Sequence, residues 1–316
     1  MTADLSARTT RKLLVSLPND DLIPALGDLP PEVELLIWDM VDAPPANEIN
    51  IVVPPYLADV EILGALQGVR TDLVQGQSIG YDRVDASLPS GHIFANAATV
   101  HETSTAEFAL AMILAMQRGI PDFVRSAAHG GDQAAWHRPS LADRRVILVG
   151  YGGVGRAIGE RLKPFDVDLV HVASKPRRDA DGLIHGMHDL PDLLPRCEIA
   201  VVGVPLTADT EHLVDDVFLS ALPDGALVVN VSRGKVADTA AVLAHARRGR
   251  LRFALGVTDP EPLPADHELF RLPNVLISPH VGGASSAMVP RMARLLRQQI
   301  GCLLRHEAPL NVVVRS

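Results

Sequence analysis

The segment RRVILVGYGGVGRAIGERLKPF, residues 144–165, constrains this 316-residue chain more tightly than any other. A β-rich apolar run leads into Gly150, Gly152 and Gly155 in G-x-G-x-x-G spacing, and a helical stretch follows as far as Pro164. Strand, tight turn and helix in that order commit the segment to a parallel α/β unit. Gly150 suits the turn, Gly152 lets the backbone approach a pyrophosphate, and Gly155 lets the helix lie close to the strand. Gly150, Gly152, Gly153, Val154 and Gly155 are therefore the expected phosphate cradle of a dinucleotide, because unpaired N–H groups at a helix start favour an anion.

Apolar runs alternate with amphipathic segments along the rest of the chain, the pattern of parallel sheets covered by helices. KLLVS, ELLIWD, INIVV and TDLVQ read as strands of a first unit, with LADVEILGALQG as a helix among them. In HETSTAEFALAMILAMQRG, Ser104 and Glu107 have capping-box spacing ahead of a long helix that ends at Gly119. RRVILVG, DLVHVA, EIAVVGV, ALVVNV, RFALGV and NVLISP then suggest a second sheet of about six strands. The final helical stretch, AMVPRMARLLRQQIGCLLRH, is expected to return to the first unit. The expected fold is α/β with two doubly wound domains: a Rossmann dinucleotide-binding domain over residues 100–285, and a discontinuous flavodoxin-like substrate domain over 1–99 and 286–316.

A formal net charge of −9 argues against a general nucleic-acid or membrane-surface binder, either of which needs a broad basic face. No long apolar run follows the charged start, so a cytoplasmic protein is expected. Against that acidic background VHVASKPRRD, residues 170–179, stands out. An NAD site ends its second strand in an acid that accepts from the ribose hydroxyls. Here Ala173 is followed by Ser174, Lys175, Arg177 and Arg178: room and cationic donors for a 2′-phosphate. The expected cofactor is NADP, with NAD as the other possibility. Cys197 and Cys302 are far apart and read as core residues, while His185 and His188 lack a third ligand and read as solvated, so no metal is expected. Trp136 reads as a packing residue, and the arginines at 247, 248, 250 and 252 complement a helix C-terminus.

Three residues beyond predicted strands have complementary chemistry: Arg233 in NVSRGKV, Glu261 in TDPEPLP and His280 in ISPHVGGAS. Arginine offers a planar fork of donors to a carboxylate and the carbonyl beside it, histidine exchanges a proton with that oxygen, and an acid orients the imidazole. Together with GYGGVG, PLTADT, DPEPLPADHELFRLPNVLISPHVGG and the early QSIGYDRVD, the chain resembles the D-isomer-specific 2-hydroxyacid dehydrogenases, glyoxylate/hydroxypyruvate reductases among them, over essentially its whole length. The resemblance implies that Arg233 binds substrate, Glu261 and His280 form the acid–histidine pair, and the backbone of Gln77, Ser78, Ile79 and Gly80 receives the substrate carboxylate. It places Thr105, Val204, Pro205, Thr210, Val231 and Ser232 along the cofactor. It also implies a homodimer whose partner molecule is otherwise only a small 2-oxo or 2-hydroxy acid.

One position departs from the resemblance. Gly256 stands in ALGVTDPEP where the family has an aspartate that holds the nicotinamide amide. That glycine mildly favours an alternative, a cofactor-sensing protein with a dehydrogenase fold and little turnover; the intact Arg233, Glu261 and His280 favour the enzyme. A formate dehydrogenase fits less well, because its histidine partner is Gln where this chain has Glu261.

Overall fold

The computed structural model describes residues 12–128, 130 and 137–316, so Trp136 and most of the surrounding loop lie outside the described residues. The chain divides into two compact units, one formed by residues 1–101 with 286–316 and the other by 102–285.

The first unit holds β1 (Leu13–Leu17), β2 (Val33–Ile37), β3 (Ile51–Val52), β4 (Leu73–Gln75), β5 (Ile93–Ala95) and, from the chain end, β14 (Val312–Arg315). Their order is β14-β5-β4-β3-β1-β2, parallel except for β14 on β5. Without that last strand this is the flavodoxin-like 2-1-3-4-5 arrangement. The Met288–Leu304 helix packs Met292, Leu295, Leu296 and Ile300 against Val15, Leu17, Ile51 and Leu73 of the sheet. It makes this unit discontinuous. LADVEILGALQG forms only a 3-10 helix over Val60–Leu66.

The second unit carries β6 (Arg145–Val149), β7 (Asp168–Ala173), β8 (Arg177–Asp179), β9 (Gly182–Gly186), β10 (Ile199–Val202), β11 (Leu227–Asn230), β12 (Arg252–Leu255) and β13 (Val275–Ile277). The sheet order is β13-β12-β11-β10-β6-β7-β9-β8, parallel except for the β8–β9 hairpin. It contains the 3-2-1-4-5-6 Rossmann arrangement, with β9, β7, β6, β10, β11 and β12 in those places. One face packs on the helices Asp216–Ala221 and Thr239–Arg247, the other on Glu102–Arg118 and Gly153–Leu162.

Three local expectations are corrected. The sheet has eight strands rather than about six, because Arg177 to Gly186 fold into an edge hairpin turned at Ala180 and Asp181, with Gly182 at φ 98° opening the return strand. Only Ile184 and Gly186 of its residues are buried, so the hairpin has almost no hydrophobic signature. The long helix begins at Glu102, which leaves Ser104 buried inside its first turn instead of capping it. His185 belongs to β9 rather than to a loop and lies half-buried, 3.4 Å from Asp189, whereas His188 is exposed, as expected, 3.2 Å from the same carboxylate. Among the described residues no group of three or more His, Cys, Asp or Glu is placed to hold a metal, and no helix is long and apolar enough to cross a membrane.

Candidate active site

Parallel pairing in register brings six strand ends of the second unit to one edge. The ladder continues one residue beyond the strands, with Gly150 N donating to Val172 O, Gly203 N to Val149 O, Val231 N to Val202 O, Gly256 N to Asn230 O and Ser278 N to Leu255 O. Every candidate residue of this unit except Thr105 and the hairpin arginines follows one of those ends.

Beyond β6, Gly150 adopts φ 103°, and a Cβ there would stand 2.7 Å from the Gly203 backbone. At Gly155 a Cβ would stand 1.9 Å from Gly150 O, so the helix lies directly on the turn. Gly152 has nothing within 4 Å of a Cβ position. The turn thus leaves its backbone open on one side at a helix start, and the residues fit a dinucleotide phosphate group. Tyr151, between the glycines, buries its ring beneath the turn, stacked on His171 at 4.1 Å with Arg156 over it at 5.4 Å. Burial pushes its hydroxyl up to about 12 and the His171 imidazole below its ordinary value. Glu102 brings its carboxylate to Gly153, 3.1 Å from that residue's Cβ position.

Beyond β7 come exposed Ser174 and Lys175, then the hairpin. Arg177 reaches back to donate to the Tyr151 carbonyl at 3.1 Å and lies 3.7 Å from Asp179. Asp179 also holds Arg156 at 3.1 Å. Strand alternation sends Arg178, in register with exposed Leu183, to the opposite face from Arg177. The structure therefore does not gather the three cations around one point. Among the described residues, Lys175 and Arg178 form no ion pair or hydrogen bond, whereas Arg177 is committed to the glycine-rich turn.

Beyond β10, Val204 is buried and Pro205 exposed, and Thr210 closes the turn by donating to Pro205 O at 2.6 Å. Beyond β11, Asn230 organises the next three residues. Its Oδ1 accepts from Ser232 N at 3.0 Å and Ser232 Oγ at 2.6 Å, and its Nδ2 donates to Arg233 O at 3.0 Å. Asparagine at a strand end is a turn signal that sequence reading passed over. Half-buried Arg233 donates from one guanidinium nitrogen to Ser232 O at 2.8 Å.

Beyond β12 the chain runs through Gly256 to Glu261, pinned where Thr239 Oγ1 donates to Asp259 O at 2.6 Å. Beyond β13, His280 sits at φ 49°, a left-handed conformation in which its N–H donates to Ser278 O at 3.1 Å. Its Nδ1 lies 2.9 Å from Glu261 Oε1, with both side chains more than one-third exposed (37% and 38%), so the pair faces solvent-accessible space rather than the core. Thr105, buried on the Glu102–Arg118 helix, packs behind the same loop, its Cγ2 3.5 Å from a Cβ position at Gly282. Gly256 has no positive φ; a Cβ there would meet Asn230 O at 3.1 Å and Phe108 Cε1 at 3.4 Å.

In the other unit, Gln77 to Gly80 form a bent loop directly after β4. Buried Gln77 donates to Pro54 O at 2.9 Å, while Ser78, Ile79 and Gly80 are half-buried.

Comparison with known proteins identifies similar chains. The NAD binding domain family of D-isomer specific 2-hydroxyacid dehydrogenases matches residues 110–282. A glyoxylate reductase of Thermofilum pendens is 30% identical over 296 residues, covering 90% of this chain and 86% of that protein. A second glyoxylate reductase, from Korarchaeum cryptofilum, is 29% identical over 310 residues, 91% of this chain and 92% of the relative. The crystal structure of a D-isomer specific 2-hydroxyacid dehydrogenase from Xanthobacter autotrophicus Py2, in complex with NADPH and MES, superimposes with a TM-score of 0.81 at 27% identity, over 96% of this chain and 98% of that one.

Proposed function

The chain belongs to the D-isomer specific 2-hydroxyacid dehydrogenase family, and from that premise we propose that it is an NADP-preferring reductase converting small 2-oxo acids of the glyoxylate or hydroxypyruvate type to D-2-hydroxy acids. An NAD(P)-dependent oxidoreductase is what its relatives indicate. The 2.9 Å pair of His280 and Glu261, on the strand-end edge that also carries Arg233 and the glycine-rich turn, supports the finer reading.

When bound at the turn, the nicotinamide cofactor supplies hydride to the substrate's carbonyl carbon. Arg233 presents paired donors to the carboxylate and the carbonyl oxygen, which fixes the acid's orientation. Glu261 accepts the Nδ1–H of His280, leaving Nε2 directed at substrate; the protonated ring gives that proton to the oxygen, and the neutral ring removes it in the reverse direction. The backbone of Gln77, Ser78, Ile79 and Gly80 takes the carboxylate. Lys175, helped by Ser174, pairs with the 2′-phosphate, because it is an unpaired cation just past β7 where an NAD site has an acid. The NADPH complex of the Xanthobacter relative supports that choice of cofactor. Thr105, Val204, Pro205, Thr210, Val231 and Ser232 line the cofactor in this reading, and the protein is a cytoplasmic homodimer.

A panel of 2-oxo acids assayed with NADPH and with NADH, followed by nicotinamide absorbance, tests the proposal. Reduction of glyoxylate or hydroxypyruvate with a preference for NADPH is expected. Measurable NADPH binding without turnover of any acid would overturn it in favour of a cofactor sensor.

A further inference from the structure

Four consecutive carbonyls precede the N–H groups of the loop after β4, and each accepts a hydrogen bond from its own unit. Gly76 O accepts from Gln75 Nε2 at 2.8 Å, Gln77 O from His101 Nε2 at 2.6 Å, Ser78 O from Ala97 N at 2.9 Å and Ile79 O from Asn96 Nδ2 at 2.8 Å. In a trans peptide the C=O and the following N–H point in opposite directions. Fixing each carbonyl therefore turns the N–H of Gln77, Ser78, Ile79 and Gly80 away from the donor beneath. Among the described residues none of these four N–H groups donates a hydrogen bond. A run of amides held by their oxygens and open at their nitrogens is a preorganised anion receptor.

The two side chains that hold alternate peptides are themselves fixed. His101, buried, stacks on Tyr56 at a centroid distance of 5.7 Å and 14° between planes. A carbonyl can only accept, so the 2.6 Å contact requires the proton on Nε2. Asn96 is locked at every polar atom: its N–H donates to Asn311 O, its Oδ1 accepts from Ala98 N at 3.2 Å, and its carbonyl accepts from Gln75 Nε2 at 3.0 Å. Gln75 in turn is held through Oε1 by Gln299 Nε2 at 2.7 Å, in a fully buried pair.

We propose that His101 and Asn96 are positioning residues of the substrate-carboxylate receptor, orienting the N–H groups of Ser78 and Gly80 through the carbonyls of Gln77 and Ile79. The inference rests on the reading of residues 77–80 as the carboxylate-binding loop. Neither side chain touches substrate. Their effect is preorganisation: with the carbonyl released, the peptide rotates and the carboxylate must reorder it on binding.

The test uses the full-length protein saturated with NADPH and titrated with oxalate, read by the amide NMR signals of Ser78 and Gly80, alongside steady-state kinetics with glyoxylate. His101→Phe keeps a flat ring over Tyr56 but removes the donor; His101→Gln restores a donor; Asn96→Ser is the second perturbation should the first fail to fold. His101→Phe and Asn96→Ser should each weaken oxalate and raise the glyoxylate KM by about tenfold, about 1.4 kcal/mol, with kcat and NADPH affinity little changed and His101→Gln in between. Wild-type oxalate affinity in both donor-deleted variants would overturn the proposal. So would a His101→Gln protein as impaired as His101→Phe, which would assign the effect to ring packing. A wild-type protein that reduces glyoxylate while its Ser78 and Gly80 signals ignore oxalate would overturn the proposal and leave the reductase reading intact. If no 2-oxo acid is turned over but oxalate still moves those signals and His101→Phe weakens it, the positioning role stands and the reductase reading falls.

Discussion

Gly234 holds two proposed catalytic loops in contact, and Gly234→Ala should force them apart. The residue follows Arg233 directly and opens the 3-10 turn Gly234–Val236, buried against the loop that leads to Glu261. A Cβ at this position would stand 1.8 Å from Thr258 O, 2.2 Å from Thr258 C and 2.8 Å from Asp259 N. All three are backbone atoms, so no rotamer change relieves the clash. Raising the shortest contact to 3.0 Å, the least that real Cβ atoms show, takes a displacement of about 1.2 Å. The Asp259 side of the contact is pinned by Thr239 Oγ1, and the Arg233 carbonyl by Asn230 Nδ2, so the strain is shared between the loops that carry Glu261 and Arg233. Overpacking of this kind costs about 1–3 kcal/mol of stability, and misplacing reacting groups by about 1 Å costs about 100-fold in rate. We expect Gly234→Ala to remain folded with a lowered thermal midpoint, to lose about 100-fold in kcat/KM for glyoxylate, and to lose far less in NADPH affinity, because the glycine-rich turn lies beyond another strand and only Val231 and Ser232 of the proposed cofactor lining share the Gly234 loop. Gly64→Ala, with nothing within 4 Å of the added carbon, is the matched control. A folded Gly234→Ala protein with wild-type kcat/KM would refute the claim that this contact sets the spacing of the two loops.

The hairpin cations should behave unequally. Lys175→Ala is expected to weaken NADPH by about 1 kcal/mol, because the side chain is exposed and its pairing is screened by water, and to spare NADH, whereas Arg177→Ala should weaken both, since Arg177 holds the Tyr151 carbonyl of the turn itself. Equal losses for both cofactors in Lys175→Ala would remove it from the 2′-phosphate site. Gly256→Asp meets no positive-φ barrier, but its Cβ would press on Asn230 O at 3.1 Å and Phe108 Cε1 at 3.4 Å, so these neighbours must give by a few tenths of an ångström; once folded, the variant should raise glyoxylate turnover by giving the nicotinamide amide a partner, and unchanged or lower turnover would show that another contact already serves. Burial holds His171 below its ordinary 6.5, so as pH falls below about 6.5 the unfolded chain takes a proton that the folded one refuses, and stability declines, while above that value it is flat with respect to this group. Urea denaturation at pH 7.5 and 5.5 should show the loss, and His171→Phe should reduce it without abolishing it, because His92 is held low by the same cause; an undiminished loss in the variant would clear His171 of the effect.

Local chemistry made much of this protein legible in its sequence. The glycine spacing after VILV fixes a strand, a turn and a helix within one short segment, and two of the three glycines answer a close contact in the fold, Gly155 against Gly150 and Gly150 against Gly203, while Gly152 leaves its side of the turn open. β-rich runs such as DLVHVA and ALVVNV declared their strands because buried parallel strands need apolar residues on both faces. The β8–β9 hairpin did not declare itself, since an edge pair with little buried surface is held by backbone pairing and turn geometry, which leave almost no hydrophobic pattern. Ser104 misled because a capping box and a buried first helical turn use the same residue types, and burial is decided by what packs there. The inequality of Lys175, Arg177 and Arg178 followed from strand alternation and a bond to Tyr151, 26 residues earlier. His280 and Glu261 were nameable as types, but their 2.9 Å contact depends on the left-handed backbone at His280 and on the β12–β13 register. Sequence alone determined which segments are apolar, which turns need glycine and which side chains can exchange protons or bind anions, because those are properties of single residues and their neighbours in the chain. Only the tertiary structure decided which carbonyls are held, which cations stay free and which N–H groups remain open, because each depends on a partner brought from elsewhere in the chain by the packing of the whole unit.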